Sequence, residues 1–164
     1  MKRTINLLAT LVVASIMSLG LSGCGPDEPE QPEPTFIDMS GTSWEATGDN
    51  TYTFNYQGYN INMDISIIMI LDALDETNAE LFIDYIIDVP NSPTASQRET
   101  DTEFYTYTFD GDKLILKRKG AGSNRTMVYD KSTNTFTMPI NDGQMRTMLN
   151  INEIMFHQTR GGQI

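Results

Sequence analysis

Residues 51–65 read TYTFNYQGYNINMDI, and this stretch decides the fold class. Apolar and polar residues alternate on both sides of Gln57-Gly58, which is the period of a half-buried β-strand. A two-residue loop at Gln57-Gly58, with Gly58 supplying a positive φ, then sets the cross-strand pairs. These pairs are Tyr56 with Tyr59, Phe54 with Ile61, and Tyr52 with Met63. Because all of them lie on one face, the stretch predicts a β-hairpin whose register a one-residue slip would destroy.

Two further hairpins are predicted downstream. Asp110-Gly111 is interpreted as the loop of the first, which places Tyr107 opposite Leu114 and Tyr105 opposite Leu116. The polar residues expected to point outward there are Thr106, Thr108, Lys113 and Lys117. The other hairpin turns through residues 130–134 and ends at Pro139. It pairs Met127 with Met138 and Tyr129 with Phe136.

The remaining segments are less regular. Residues 65–71 form a nearly continuous apolar run, and Glu80, Asp84 and Asp88 recur at a spacing that fits a helix as well as a strand. β-Branched residues favour a strand for residues 79–89. The other assignments are a loop or single helical turn at 73–78, a loop at 90–101, a short helical turn within 141–150 and a last strand at 150–159.

Together these segments predict an all-β domain, an antiparallel meander of about eight strands. Closure into a barrel is the economical arrangement, because it leaves no exposed sheet edge. The domain extends from residue 35 to residue 164 and is long enough to bury a core. Its sequence contains no cysteine, so it depends on packing and hydrogen bonds rather than on an internal disulfide.

The ends of this domain carry a family resemblance. Residues 41–44, Gly-Thr-Ser-Trp, the successive hairpins and the final strand at 154–160 resemble the small lipocalin-like lipoproteins of Bacteroidetes over roughly residues 40–160. The resemblance implies a ligand-binding barrel with Trp44 as the aromatic of its floor and Arg160 packed across it. Lipocalins begin their first strand with Gly-x-Trp, whereas this chain has Gly-x-x-Trp. Trp44 as an ordinary core aromatic is the alternative.

The N-terminus predicts a lipid anchor. Lys2 and Arg3 precede an apolar stretch, and residues 21–24, Leu-Ser-Gly-Cys, resemble the lipobox of bacterial lipoproteins. Residues 1–23 are therefore interpreted as a signal peptide, and Cys24, the only cysteine, as the attachment site of a fatty-acyl, palmitate-type lipid. An uncleaved spanning helix is the alternative, since the apolar stretch is slightly shorter than the roughly 20 residues needed to cross a bilayer.

Residues 24–34 follow as a tether of alternating prolines and acids. They either hold the domain off the headgroups or act as a surface-export signal, since acids soon after the acylated cysteine resemble that signal in Bacteroidetes lipoproteins. The predicted location is the outer membrane, facing the periplasm or the cell surface. Loss of Lys2 and Arg3 with the signal peptide takes the net charge from −11 to −13, so nucleic acid is not an expected partner.

The sequence shows no recognisable catalytic or metal-binding motif. His157 is the only histidine. No Gly-x-Ser-x-Gly elbow is present for which it could act as the catalytic base, and it has no partner cysteine with which to bind a metal ion. Loop geometry explains the acids at 72–76 and the Asp-Gly-Asp at 110–112 better than calcium does. Met145, Met148 and Met155 are read as core fillers rather than soft-metal ligands. We expect no enzyme, no metal and no cofactor beyond the lipid on Cys24.

The predicted function is non-enzymatic binding of a small apolar ligand in the barrel or at its open end. The candidate ligand-binding residues are Trp44, Tyr52, Phe54, Tyr56, Tyr105 and Tyr107. The alternative is a filled barrel that acts as a protein-interaction or inhibitor module of an envelope complex. Sequence does not separate these hypotheses, because the same aromatic residues serve as lining or as core.

Overall fold

A computed structural model describes residues 37–90, 92 and 96–161. Within them, eight antiparallel strands follow one another around a closed barrel in chain order, so the predicted meander is confirmed. One short helix lies between the last two strands. The elements are β1 (Ser43–Tyr56), β2 (Tyr59–Ala73), β3 (Asn78–Asp88), β4 (Gln97–Asp110), β5 (Lys113–Arg118), β6 (Arg125–Asp130), β7 (Thr135–Pro139), α1 (Gly143–Leu149) and β8 (Glu153–Arg160).

The β1–β2 hairpin has the predicted register. Tyr56 pairs with Tyr59, and the ladder continues through every predicted pair down to Ser43 opposite Asp72. Gln57 and Gly58 have φ of 51° and 87°, the two positive values that a type I′ loop requires. On the opposite face of the hairpin, polar side chains hydrogen-bond across the strands, as Thr51 does to Asp64 at 2.7 Å.

Residues 79–89, whose sequence pattern is compatible with a helix or a strand, form most of β3 and the first residue after it. β3 pairs with β2 on one side and with β4 on the other, so its backbone groups are satisfied by the sheet. The carboxylates at a spacing of four, Glu80, Asp84 and Asp88, share the outer face, because residues four apart also lie on one side of a strand. The strand prediction is therefore confirmed.

The β4–β5 hairpin differs from the prediction. Gly111 and Asp112 form its loop, so Tyr107 lies opposite Leu116 and Phe109 opposite Leu114. Gly111 has φ 64° whereas Asp112 lies outside the left-handed region, the pattern of a type II′ loop with glycine in first place. The error shifts the pairing by two residues, so each side chain stays on its predicted face.

The predicted loop at 90–101 is too long. β4 begins at Gln97, which pairs with Ile87, and its first five residues are polar and exposed. Their strand structure comes from the backbone hydrogen bonds that β3 offers, a tertiary effect that composition does not reveal. The last strand also begins later than predicted, at Glu153, because Asn150 at φ 55° ends α1 first.

The two ends of the barrel differ. One end, which we call the floor, is formed by residues 37–42 and by the loops at 74–77, 111–112 and 131–134. The other end, which we call the mouth, is formed by α1 and by the loops at 57–58 and 119–124. β8 pairs with β1 only through Ser43, Trp44 and Glu45, near the floor. All strands and α1 lie within the compact unit Pro34–Ile164.

Candidate ligand-binding site at the mouth of the barrel

The mouth contains two cavities of about 560 and 540 Å³ that share Ile83, Asp142 and Met145. The first lies between α1 and the strands β3 and β4, and the second reaches into the barrel below α1. Apolar side chains from four strands form the inner wall of the second: Ile67, Met69, Ile83, Met138 and Ile154. Residues of the 119–124 loop, Arg118 and Arg125 complete it.

A charged cluster lies on one side of this second cavity. Glu103 of β4 accepts a hydrogen bond from Arg118 at 2.6 Å, and Arg125 donates to its other oxygen from Nη2 at 2.8 Å and from Nε at 3.0 Å. The hydroxyl of Tyr105 donates to Glu103 and accepts from Nε of Arg125 at 2.8 Å. The side chain of Glu103 is only 5% exposed, those of Arg118 and Arg125 24% and 28%. One buried carboxylate thus holds two guanidinium groups in fixed positions.

Electrostatics favour the charged form of this cluster. Burial opposes ionisation of Glu103, but the hydrogen bond from Tyr105 and the charges and hydrogen bonds of the arginines outweigh it, so the pKa of Glu103 lies below its usual value. Burial, and then the hydrogen bond to Glu103, raises the pKa of Tyr105. Tyr105 therefore stays a donor and Glu103 an acceptor at neutral pH.

The sequence carries a signal for this cluster, although none of its three charged residues was among the predicted site residues. Strand alternation places Arg118 in phase with the buried Leu114 and Leu116, and Arg125 in phase with Met127 and Tyr129. The same rule places Glu103 in phase with Tyr105 and Tyr107. Charged residues at inward positions on three neighbouring strands, at the end of β5, at the start of β6 and in the middle of β4, predict a polar site inside the barrel.

Helix α1 covers part of the mouth. Asp142 caps its first turn by accepting from the backbone N–H of Met145 at 2.8 Å. Asn50 of β1 donates to the carbonyl of Met148 at 2.7 Å, and the hydroxyl of Tyr85 contacts the sulfur of Met148 at 3.7 Å. Met145 and Met148 therefore present flexible apolar side chains to the cavities, which suits ligands of variable shape.

The six predicted ligand-binding residues lie in two other places. Trp44 and Tyr105 are completely buried and Tyr107 is 3% exposed. Tyr52 and Phe54 are half-buried on the β1–β2 hairpin, and Tyr56 is exposed near its tip. None of the six contributes to the wall of either mouth cavity. Their role in binding stays a prediction, while the cavities are formed by other residues.

Trp44 packs in the floor as a core aromatic. Its ring meets that of Phe136 edge-on at 4.6 Å and that of Tyr129 at 6.3 Å, and its indole N–H donates to Thr42 at 2.9 Å. The resemblance implied that Arg160 packs across this ring, and this expectation is wrong. The side chain of Arg160 is 66% exposed, and its guanidinium binds Asp72 at 3.0 Å.

The other candidate motifs have structural roles. Asp75 accepts hydrogen bonds from Asn78 and from the backbone of Thr77. These bonds organise the 74–77 loop and lower the pKa of Asp75 to about 2. His157 is exposed on β8. Across the described ranges no three His, Cys, Asp or Glu side chains are grouped so that they could hold a metal ion. Cys24, the predicted signal peptide and the predicted tether lie outside the described residues.

No family model, curated protein or solved structure matches this chain. The eight-stranded meander barrel is compatible with a lipocalin-like fold. In the part of the chain that the structure describes, the helix is too short to cross a membrane.

Proposed function

We propose that this protein is a non-enzymatic lipocalin-like binding domain that holds a small, mainly apolar ligand at the mouth of its barrel. One observation carries the proposal: a cavity of about 540 Å³ with an apolar inner wall and a few fixed polar groups on one side. Its volume lies within the roughly 300–1,000 Å³ of small-molecule sites, and this combination of surfaces is typical of them.

The distribution of packing supports the same proposal. The floor is filled by large side chains that have no exposure, including Trp44, Phe136 and Phe156. At the mouth, Ile83, Tyr85 and Ile87 point inward but are only half-buried. Half-buried apolar side chains around a cavity gain free energy when a ligand removes them from water.

A matched pair of substitutions on β3 tests the site. Ile83 contributes to both cavities, whereas Ile86, on the same strand, points to the outer face. In the compact unit 34–164, Ile83→Trp should fill the cavity and weaken binding of the neutral probe N-phenyl-1-naphthylamine about tenfold or more. Ile86→Trp adds the same volume and should leave probe binding unchanged. Equal effects of the two variants, or no binding by the wild type, would remove the proposed site.

A second candidate function is protein interaction through the outer face. Ile68, Ile70, Phe82 and Ile86 are half-buried on the outside of β2 and β3, and Phe104 of β4 is 47% exposed. Such an apolar outer surface is typical of a docking site. Loss of an envelope partner in the Ile86→Trp variant, with probe binding intact, would favour this function.

We also propose that the protein is an outer-membrane lipoprotein anchored through Cys24. The lipobox at 21–24, the apolar stretch before it and the proline-rich tether support this proposal.

Metabolic labelling tests the anchor. Cys24→Ala should abolish incorporation of a tagged fatty acid and leave an unprocessed precursor. Serine substitution at a position of the tether, Gln31→Ser, is the control and should keep both label and processing. Equal labelling of the wild type and Cys24→Ala would refute the anchor.

A further inference from the structure

The charge cluster at the mouth has an excess of positive charge. Arg118 and Arg125 share the single carboxylate of Glu103, and Asp101, the next nearest acid, lies 4.0 Å from Arg118 with a side chain that is 64% exposed. Burying two cations with one anion is costly unless another group compensates them. The cluster therefore offers one positive charge to whatever occupies the cavity.

The arginines also have donors to spare. Each guanidinium has five N–H groups, but Arg118 uses only Nη1 and the backbone, and Arg125 uses only Nε and Nη2. Among the described residues no buried side-chain nitrogen or oxygen lacks a hydrogen-bond partner. Nη1 of Arg125, which makes no hydrogen bond with the described residues, and Nη2 of Arg118, whose nearest acid is Asp101 at 4.0 Å, are consequently accessible, and both residues line the second cavity.

Acidic residues at the rim do not cancel this charge. Glu99, Asp101 and Asp142 line the first cavity, Asp142 also lines the second, and all three are exposed. Water and salt screen the field of exposed carboxylates, whereas the arginines lie deeper and bond to a buried group. The electrostatic field at a ligand atom within hydrogen-bond distance of a guanidinium therefore comes mainly from the arginines.

We infer that the ligand is an amphiphile with a single negatively charged head group, of the carboxylate class, whose apolar chain lies along the wall formed by β2, β3, β7 and β8. The inference rests on the proposed function and specifies its ligand. The unused N–H groups of Arg118 and Arg125 donate to the head group, in the charge-assisted geometry that guanidinium groups favour. Glu103 acts as a positioning residue that holds both guanidiniums and, by its own charge, weakens the attraction.

A matched ligand pair tests the head group without any mutation. Dodecanoate and methyl dodecanoate have the same chain and differ in charge, and each competes with N-phenyl-1-naphthylamine for the wild-type unit 34–164. Dodecanoate should bind about tenfold more tightly than the ester, because a net charge-assisted hydrogen bond contributes about that factor. Inorganic phosphate, an anion without a chain, should not displace the probe.

Substitutions then assign the effect to the cluster. Arg118→Gln should reduce the preference for dodecanoate over the ester about tenfold, while Lys117→Gln removes an exposed charge from the outer face of the same strand and should leave it unchanged. Glu103→Gln should increase the preference several-fold, because both guanidiniums then face the cavity without a competing anion. A purely structural role for Glu103 predicts the opposite sign.

The outcomes separate the two proposals. Failure of every ligand and of the probe to bind would refute the proposed function. Equal binding of acid and ester, or an unchanged preference in both Arg118→Gln and Glu103→Gln, would overturn the anionic head group but keep the apolar site. Displacement of the probe by phosphate would overturn the amphiphile in favour of a small-anion site.

Discussion

The floor and the mouth of this barrel are built from the same eight strands, but their interiors are packed differently. At the floor, Trp44 meets Tyr129 and Phe136 edge to face, these two rings pack tilted against each other, and the ring centroids are 4.6 to 6.3 Å apart. At the mouth, the same inward positions hold Glu103, Arg118 and Arg125 beside a cavity of about 540 Å³. Packing at one end can therefore stabilise a barrel whose other end keeps room for a ligand.

The largest effect is expected when one aromatic ring is removed from the floor. Phe136→Ala deletes a completely buried aromatic residue and should lower the free energy of unfolding by about 3–5 kcal/mol, because burial is lost and a cavity remains. Met145→Ala, at the half-buried mouth, should cost only about 1 kcal/mol. Chemical denaturation of the unit 34–164 measures both. Equal costs would mean that the mouth is packed as tightly as the floor.

A smaller effect is expected from the charged cluster. Glu103→Gln keeps the shape of the side chain but removes the charge that both arginines bind, and should cost about 1–3 kcal/mol at neutral pH. Since the pKa of Glu103 is lower in the folded than in the unfolded chain, its contribution is complete above about pH 4.5. It is lost as the pH falls from there through the folded pKa.

Denaturation midpoints measured from pH 7 to pH 3 check this sign. The wild type should lose more stability than Glu103→Gln over that interval. Asp84, whose pKa the hydrogen bonds and charge of Arg98 lower, should still contribute an acid-sensitive part in both proteins. Parallel pH curves for the two proteins would show that the cluster does not couple to folding.

A similarly small effect is expected near the hairpin tip. Phe54 lies opposite Ile61 on a part of β1 that has no β8 partner, and it is half-buried. Phe54→Ala should therefore cost about 1–2 kcal/mol, distinctly less than Phe136→Ala. A loss as large as that of Phe136→Ala would mean that the hairpin packs as part of the core. Weaker probe binding in this variant would extend the ligand site onto the hairpin.

Much of the fold could be predicted because it depends on local chemistry. The alternation of residues 51–65 and the positive φ available at Gln57 and Gly58 determine a register that the structure reproduces pair by pair. The β4–β5 loop was placed one residue early, because Asp110-Gly111 and Gly111-Asp112 both satisfy a two-residue turn. Only the turn geometry within the sheet distinguishes these alternatives.

The candidate site was harder to predict, because it depends on which neighbours surround each residue. Aromatic side chains serve equally well as lining and as core, and the barrel assigns Trp44 and Tyr105 to positions without exposure. Glu103, Arg118 and Arg125 lie on three different strands, up to 22 residues apart in the chain. Alternation alone indicated their inward direction, but not that they meet.

By itself the sequence determined the all-β class, the meander and most strand faces, because alternation and turn chemistry act over a few residues. It also carried the lipobox on which the proposed anchor rests. Only the tertiary structure decided where the barrel is filled and where it is open. Packed volume is a sum over side chains from every strand, and the meeting of one carboxylate with two arginines requires closure of the sheet.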